Sequence, residues 1–479
     1  MTHTYAGDEP PLRAELFSSA QMEQHGRTLA GSHQLSLGHA PDRLLTRLTE
    51  NEAVLQDACR LLATAVKANR RIVPAGEWLL DNFYLIEEQI RTAKRHLPKS
   101  YSRELPRLAH GPSAGLPRVY DIALETIAHG DGRVDLESLS RFVAAYQQVS
   151  ALTLGELWAI PIMLRLALIE NLRRVSARVA AARIDRNLAD SWADQMMDMA
   201  GRDPKNLVLV IADMARSKLP QSSAFVAEMA RRLRGQSPAL AAPLTWIEQW
   251  LSEAGLTIEH LVQLESQHQA ADQVSISNSI GSLRFLTAMD WREFVETMSV
   301  VEQTLRQDPG GGYGRMDFAT RDRYRHAVEK IAKRCPLSEG EVARQALQLA
   351  RAGAAANNGA DRTAHVGFYL IDAGLPQLER RTQARLSLTA TLLRSRRFAL
   401  FAYLGAIALL TALFSGSLIR LAYAAELPDW LLALLGVALL LATSQLAVAL
   451  VNWLATLLVT PQPLPRLDFS QGIPPEART

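Results

Sequence analysis

From residue 12 to residue 390 the apolar positions recur at intervals of three and four, and strand-like alternation bounded by turn residues is scarce. That period predicts an all-α region of many helices. The pattern then changes. Residues 398–419 are 22 positions without a charge, and residues 431–459 are another 29. A helix needs about 20 such residues to cross a hydrocarbon core, and it satisfies its own backbone hydrogen bonds while doing so. The expectation is therefore a multi-helix cytoplasmic region followed by a two-helix transmembrane hairpin.

Starts and stops are legible within the helical region. Pro98 closes a helix that includes residues 82–95, and the Gly111-Pro112 and Leu116-Pro117 steps mark a loop before a helix over 119–129. Another helix starts near Leu136. Thr153 with Glu156 three residues on has the spacing of a capping box, opening a helix expected to reach about Ala182, with Pro161 kinking or starting part of it. Its apolar stretch, 157–169, is interrupted by Arg165 and too short to span a bilayer, so it reads as a buried core helix whose arginine needs an interior partner. Polar stretches at 183–189 and 265–272 mark weak boundaries. The glycine-rich run from Asp308 to Arg315 separates a helix ending near Leu305 from one beginning near Phe318. Segments 338–350 and 365–386 lead to the membrane, and the prolines between 461 and 465 force an extended exit. No repeat of fixed period is evident. The expected division is 1–185, 186–268 and 269–397 for the helical parts, 398–419 and 431–459 for the spans, and 460–479 for a terminal linker.

Charge adds an orientation. Arg380, Arg381, Arg385, Arg394, Arg396 and Arg397 precede the first span, whereas the link between spans holds Arg420 against Glu426 and Asp429. Basic flanks stay in the cytoplasm, which places both chain ends inside, with Tyr423, Trp430 and Trp453 as anchors near the headgroups. The net charge of +3 offers no broad basic face for nucleic acid. Cys59 and Cys335 have no CxxC or Cys/His ligand spacing, which argues against a disulfide framework or a zinc site and fits a reducing compartment. The N-terminus lacks a basic segment followed by an apolar one, so no secretory signal is expected.

Candidate chemistry is sparse. The cluster from Gly310 to Gly314 is not followed by Gly-Lys-Ser/Thr and reads as an interhelical loop rather than a phosphate cradle. Glu87 and Glu88 are adjacent on a helix and point about 100° apart, which suits surface pairing with Arg91 better than glycosidase chemistry. His96, His110, His129, His326 and His365 are scattered, none with a second histidine at helical ligand spacing, so no metal site is expected. The densest polar constellation, from Arg315 to His326, suits a nucleotide or an acidic partner, but reads first as a helix capped by Asp317 or Thr320, its arginines solvated or paired with Asp317, Asp322 and Glu329. Trp78, Phe83, Tyr84 and Ile86 read as core. No triad can be assigned. Catalytic, cofactor-binding and metal residues are all expected to be none.

Several blocks nevertheless carry a resemblance. They include Arg13-Ala-Glu-Leu-Phe17, Asp81-Asn-Phe-Tyr-Leu-Ile-Glu-Glu-Gln-Ile-Arg91, Tyr101-Ser-Arg-Glu-Leu-Pro-Arg-Leu108 and Gly115-Leu-Pro-Arg-Val-Tyr120. Further along come Leu152-Thr-Leu-Gly-Glu-Leu-Trp-Ala-Ile-Pro161, Ile169-Glu-Asn-Leu-Arg-Arg174, Met316-Asp-Phe-Ala-Thr-Arg-Asp-Arg-Tyr-Arg325, His365-Val-Gly-Phe-Tyr-Leu-Ile-Asp372 and Leu464-Pro-Arg-Leu-Asp-Phe469. In this order they resemble the N-terminal portion of cyclic β-1,2-glucan synthases, large enzymes of bacterial inner membranes. The resemblance implies a synthase that builds the glucan from UDP-glucose on the cytoplasmic side, for export to the periplasm, with its transferase following the first membrane hairpin. A transferase of that type needs an Asp-x-Asp pair for a divalent metal and usually a Gln-x-x-Arg-Trp block, and neither occurs here. UDP-glucose and the metal are thus implied for a transferase beyond residue 479, and the partners implied are the lipid bilayer and the later domains of the same synthase. This chain is expected to scaffold or regulate that transferase and to be inactive alone. The alternative is a freestanding membrane-anchored helical adaptor for a cytoplasmic partner. A soluble hydrolase or transferase is disfavoured for want of any motif with mechanistic spacing.

Overall fold

The computed structural model describes residues 9–36, 41, 43–97, 104–356, 362–385, 396–425, 428–458, 464–470 and 472. They are almost entirely helical, with one two-residue antiparallel pairing of β1 (Leu35–Ser36) and β2 (Arg107–Leu108). The helices group into two compact units, residues 1–299 and 300–479.

The first unit holds α1 (Ser19–Ser32), α2 (Leu44–Lys67), α3 (Pro74–Asp81), α4 (Phe83–His96), α5 (Arg118–His129), α6 (Leu136–Gln147) and α7 (Leu154–Arg202). After these come α8 (Leu207–Arg216), α9 (Ser223–Leu233), α10 (Ala241–Ser252), α11 (Ile258–Ala288) and α12 (Trp291–Met298). Its axis is α7. The capping box at Thr153 and Glu156 forms as the spacing predicts, but the helix does not stop near Ala182. It runs 49 residues, through Pro161 and on to Arg202, a length of about 74 Å at 1.5 Å per residue.

That length is possible because α7 serves two cores in succession. Its first half, with Leu157, Met163, Leu168 and Leu172 at or below 1% exposure, is wrapped by α2, α4, α5, α11 and α12. Its second half, through Ala189, Ala193 and Met196, packs with α8 to α10 and the start of α11. The polar stretches at 183–189 and 265–272 lie inside α7 and α11, not in linkers. Their polarity has another cause. Buried Arg183 is held by Asp190 at 2.9 Å, and buried Arg186 by Glu265, so the charges meet each other between the two cores, where ionised groups persist only when paired.

Arg165 also finds an interior partner, but a neutral one: its Nε donates to Gln89 Oε1 at 2.7 Å. Burial without a carboxylate lowers the arginine from its ordinary value. The aromatic block divides by face. Leu79, Ile86 and Ile90 are fully buried, whereas Trp78 and Tyr84 stand 38% and 62% exposed. The inward stripe is carried by Leu79, Leu85, Ile86 and Ile90, so two aromatics expected in the core fall on the outer face of the same helical turns. Glycine matters where α1 crosses α6: a Cβ on Gly26 would lie 2.9 Å from the Phe142 carbonyl oxygen, too close for any other residue.

The second unit comprises α13 (Val300–Leu305), α14 (Phe318–Ala332), α15 (Glu339–Ala356), α16 (Val366–Ile371) and α17 (Leu375–Arg381) around a core of Leu305, Tyr313, Tyr324, Val328, Val342 and Leu347. The break between residues 305 and 318 falls where the glycines predict it. Then come α18 (Arg396–Ala424) and α19 (Asp429–Leu458), both long and apolar enough to cross a membrane. They pack on one another along a seam that includes Ser415, Thr443, Ala447 and Val451, with Tyr403 donating its hydroxyl proton to Asn452 Oδ1 at 2.8 Å. Many of their large apolar side chains, among them Phe401, Leu421, Leu441 and Leu457, are exposed on the outward faces.

Candidate functional site

The constellation from Arg315 to His326 is where the second unit concentrates its polar chemistry, and the helix sorts it by face. Asp317 is the N-cap of α14, accepting from the Thr320 N–H at 2.9 Å. Two turns on, Arg325 is wholly buried and takes the paired alternative of the sequence reading, with Asp322 and, unforeseen, with Glu302. It donates to Glu302 Oε2 at 2.7 Å and to Asp322 Oδ1 at 3.1 Å, and its guanidinium lies 5.0 Å from the Phe318 ring centre. Glu302, on α13 and equally buried, also accepts from Arg306 Nε at 2.8 Å and from the Tyr313 hydroxyl at 2.6 Å. Burial, with the Glu302 charge beside it, pushes the Tyr313 phenol far above its usual range. Removing one member of such a buried pair strands the other and costs about 3–5 kcal/mol. This is a strut.

A second cluster clasps the glycine loop. Asp308 is 7% exposed and accepts from His365 Nδ1 at 2.5 Å, from the Val366 N–H at 2.9 Å and from the Tyr313 N–H at 3.3 Å. Burial opposes its ionisation, but the His365 and backbone donors outweigh it and hold the carboxyl below its ordinary value. Gly310 N–H donates to the Ala364 carbonyl and Gly311 N–H to the Asp308 carbonyl, so these amides close the loop on itself and onto the turn before α16 instead of converging on an anion. On the far side of His365 lies the buried Tyr324 hydroxyl, 3.5 Å from Nε2, its phenol pushed up to about 12 by burial. The arrangement resembles a relay in order but holds the loop in place.

The outward residues of α14 form a different surface. Arg323, His326 and Lys330, with Arg334 just past the end of the helix, line a cleft of about 720 Å³ with Asp372 and Glu379. The bond from Asp322 raises the His326 imidazole above its ordinary value. The chain just before the hairpin passes this rim, where the Arg385 N–H donates to the Arg334 carbonyl at 2.9 Å. On the N-terminal side of α14 the chain returns after α19. Met316 and Leu467 form an antiparallel bridge, with Asp468 N–H donating to the Arg315 carbonyl at 2.8 Å, Asp317 N–H to the Arg466 carbonyl at 3.0 Å and Arg466 N–H to Thr320 Oγ1 at 3.1 Å. The chain before and after the apolar hairpin therefore meets the two ends of α14, at residue 334 and at residues 315–320.

In the first unit the polar hub is Glu170 of α7, fully buried. It accepts from Arg47, Arg173, Arg174 and Asn51. Burial opposes its ionisation, but Arg47, joined by Arg173 and Arg174, holds the carboxyl well below the ordinary range. The cationic partners on α2 and α7 thus lock two neighbouring helices. Elsewhere in this unit His129 meets His25 and Glu125, a grouping that spacing along the chain does not reveal because His25 lies on another helix. Among the described residues Glu87 and Glu88 make no ion pair with Arg91, while His96 and His110 stand exposed and apart. Cys59 and Cys335 are free thiols, the former buried and pushed up to about 12 by that burial.

No family model matches the chain. A curated relative is the protein named cyclic beta-(1,2)-glucan synthase NdvB of Rhizobium meliloti (strain 1021), 32% identical over 472 residues. The match takes in 98% of this chain and 16% of the synthase, so the resemblance read from the sequence blocks holds along nearly the whole chain, which spans about a sixth of that relative's length.

Proposed function

We propose that this chain is the helical scaffold and membrane anchor of a cyclic β-1,2-glucan synthase, itself non-catalytic, which positions a transferase using UDP-glucose and a divalent metal. The similarity over 472 residues carries the reading. The geometry supports the anchoring half of it. The chain on either side of the two helices of bilayer length bonds to the ends of α14, which supports placing the unit built on α13 to α17 on one side of the membrane with the exit at 464–470. By the basic flank before α18, that side is the cytoplasm of a bacterium and the bilayer its inner membrane. Scaffolding agrees with the internal use of the polar residues: Glu302, Arg325, Asp308 and His365 satisfy one another.

The test is reconstitution. The full chain is purified into lipid vesicles, alone and with the transferase region of a cyclic β-1,2-glucan synthase, and transfer of labelled glucose from UDP-glucose is followed. The chain alone is expected to transfer none, and to co-purify with the transferase region and raise its output severalfold. Turnover by the chain alone would overturn the non-catalytic reading. Failure to bind the transferase region would leave the adaptor for an unrelated cytoplasmic partner as the better account.

A further inference from the structure

The first unit brings two histidines and a carboxylate to one point from segments remote in sequence. Glu125 and His129 are one turn apart on α5, and His25 reaches them from α1. One ligand atom from each lies within 4.8 Å of the other two: His25 Nε2 is 2.8 Å and His129 Nε2 3.3 Å from Glu125 Oε2. Donors at about 2.0–2.1 Å around a tetrahedral Zn²⁺ would stand about 3.3 Å from each other, so the two histidine–carboxylate edges are already within about 0.5 Å of such a site and the third lies within 4.8 Å.

The protons make the point sharper. His129 Nδ1 lies 2.7 Å from the Glu15 backbone carbonyl. A carbonyl only accepts, so Nδ1 carries the hydrogen, and in the neutral ring the Nε2 lone pair then points at the Glu125 carboxylate. Lone pair against carboxylate is repulsive, and a cation between them removes the repulsion. An imidazole held by a backbone carbonyl through its other nitrogen is the support that metal-binding histidines commonly have. The ring is fixed further by stacking on Phe17 at 3.8 Å between centres, and the backbone of residues 14–17 is strapped to the end of α5 by Ala14 N–H to the Ala128 carbonyl and Phe17 N–H to the His129 carbonyl. His25 is steadied by the parallel Phe142 ring. The three side chains remain 24%, 31% and 11% exposed, which leaves a face open to water.

We propose that His25, Glu125 and His129 form a divalent-metal site of two nitrogens and one oxygen, with Zn²⁺ as the ion that fits and water completing the shell. It joins α1 to α5 and is independent of the glucan-synthase reading. Two imidazoles and a carboxylate suit zinc better than calcium or magnesium, which prefer all-oxygen sets.

The experiment is titration of the metal-stripped full chain in detergent with Zn²⁺ against a chromophoric chelator, and with Co²⁺ followed by its visible absorption. One Zn²⁺ per chain is expected, displacing Co²⁺ bound with the spectrum of a four-coordinate site. His25→Gln and Glu125→Gln should each weaken binding at least about tenfold to a hundredfold. His33→Gln is the control: it caps the C-terminus of the same helix, bound to Tyr146 and Asp121, and should leave affinity unchanged. Absence of stoichiometric binding by the unaltered chain, or equal loss in the His33 variant, would overturn the site. So would undiminished binding by both ligand variants, which would mark the ion as adventitious and the cluster as a hydrogen-bonded knot filled by a proton.

Discussion

Asp308 illustrates why a residue that looks like loop punctuation in the sequence turns out to be structural chemistry. Its neighbours in the chain are proline and glycines, and its three donors come from residues 313, 365 and 366. Because its native carboxyl is held below the ordinary value, the unfolded chain binds its proton first as pH falls. The clasp therefore contributes fully above about pH 4, near the unfolded value, and is lost as pH drops through the native one. Acidification from pH 6 to 3 is expected to loosen α16 and the 308–315 loop, read as faster hydrogen exchange there. Asp308→Asn should start looser at pH 7, by roughly 1.5–3 kcal/mol for charged hydrogen bonds, and show a shallower acid slope. A slope equal to that of the unaltered chain would remove Asp308 as the cause. None of this was legible beforehand, because His365 and Val366 lie more than fifty residues away. A shorter separation, 23 residues, likewise hid Glu302 as the partner of Arg325.

At the scale of helices the sequence was far more informative. Local signals act within one turn, and Thr153 with Glu156, Asp317 before α14, and the glycine break after Leu305 all appear where residue types demand them. Thr153→Ala should cost about 1 kcal/mol, the usual loss of an N-cap, seen as increased exchange in the first turn of α7 with the second half of that helix unchanged. Fraying along all 49 residues would instead make the cap a nucleus for the whole unit. Where the helical reading erred, the cause was partners rather than propensity. Polar residues at 183–186 imitate a linker when considered alone, but in the fold they are neutralised by Asp190 and Glu265, and α7 continues. Trp78 and Tyr84 show the same limit: both are apolar enough for the core, and which face of α3 and α4 meets it is decided by α2, α7 and α11.

For the whole molecule, the consequence to check is topology. If α18 and α19 cross a bilayer with both limbs on the side of α14, a cysteine at the tip and one after the exit must differ in access. With Cys59 and Cys335 replaced by serine, Ala425→Cys should react in intact cells with a maleimide that crosses the outer but not the inner membrane. Ser470→Cys should react only after lysis. Labelling of both positions from outside, or of neither before lysis, would contradict a hairpin with cytoplasmic ends. By itself the sequence determined the helical class, the caps and the two apolar runs, because these depend on periodicity and on residues within a turn of each other. It also carried the likeness to a glucan synthase, through blocks spread along nearly the whole chain. Only the tertiary structure decided that α7 bridges two cores, that Arg325 and Glu302 neutralise each other out of water, and that the exit strand returns to Met316. It alone brought His25 to Glu125 and His129. Those facts are contacts between segments tens to hundreds of residues apart, and a one-dimensional pattern carries no record of which distant partner satisfies a buried charge or an unpaired backbone edge.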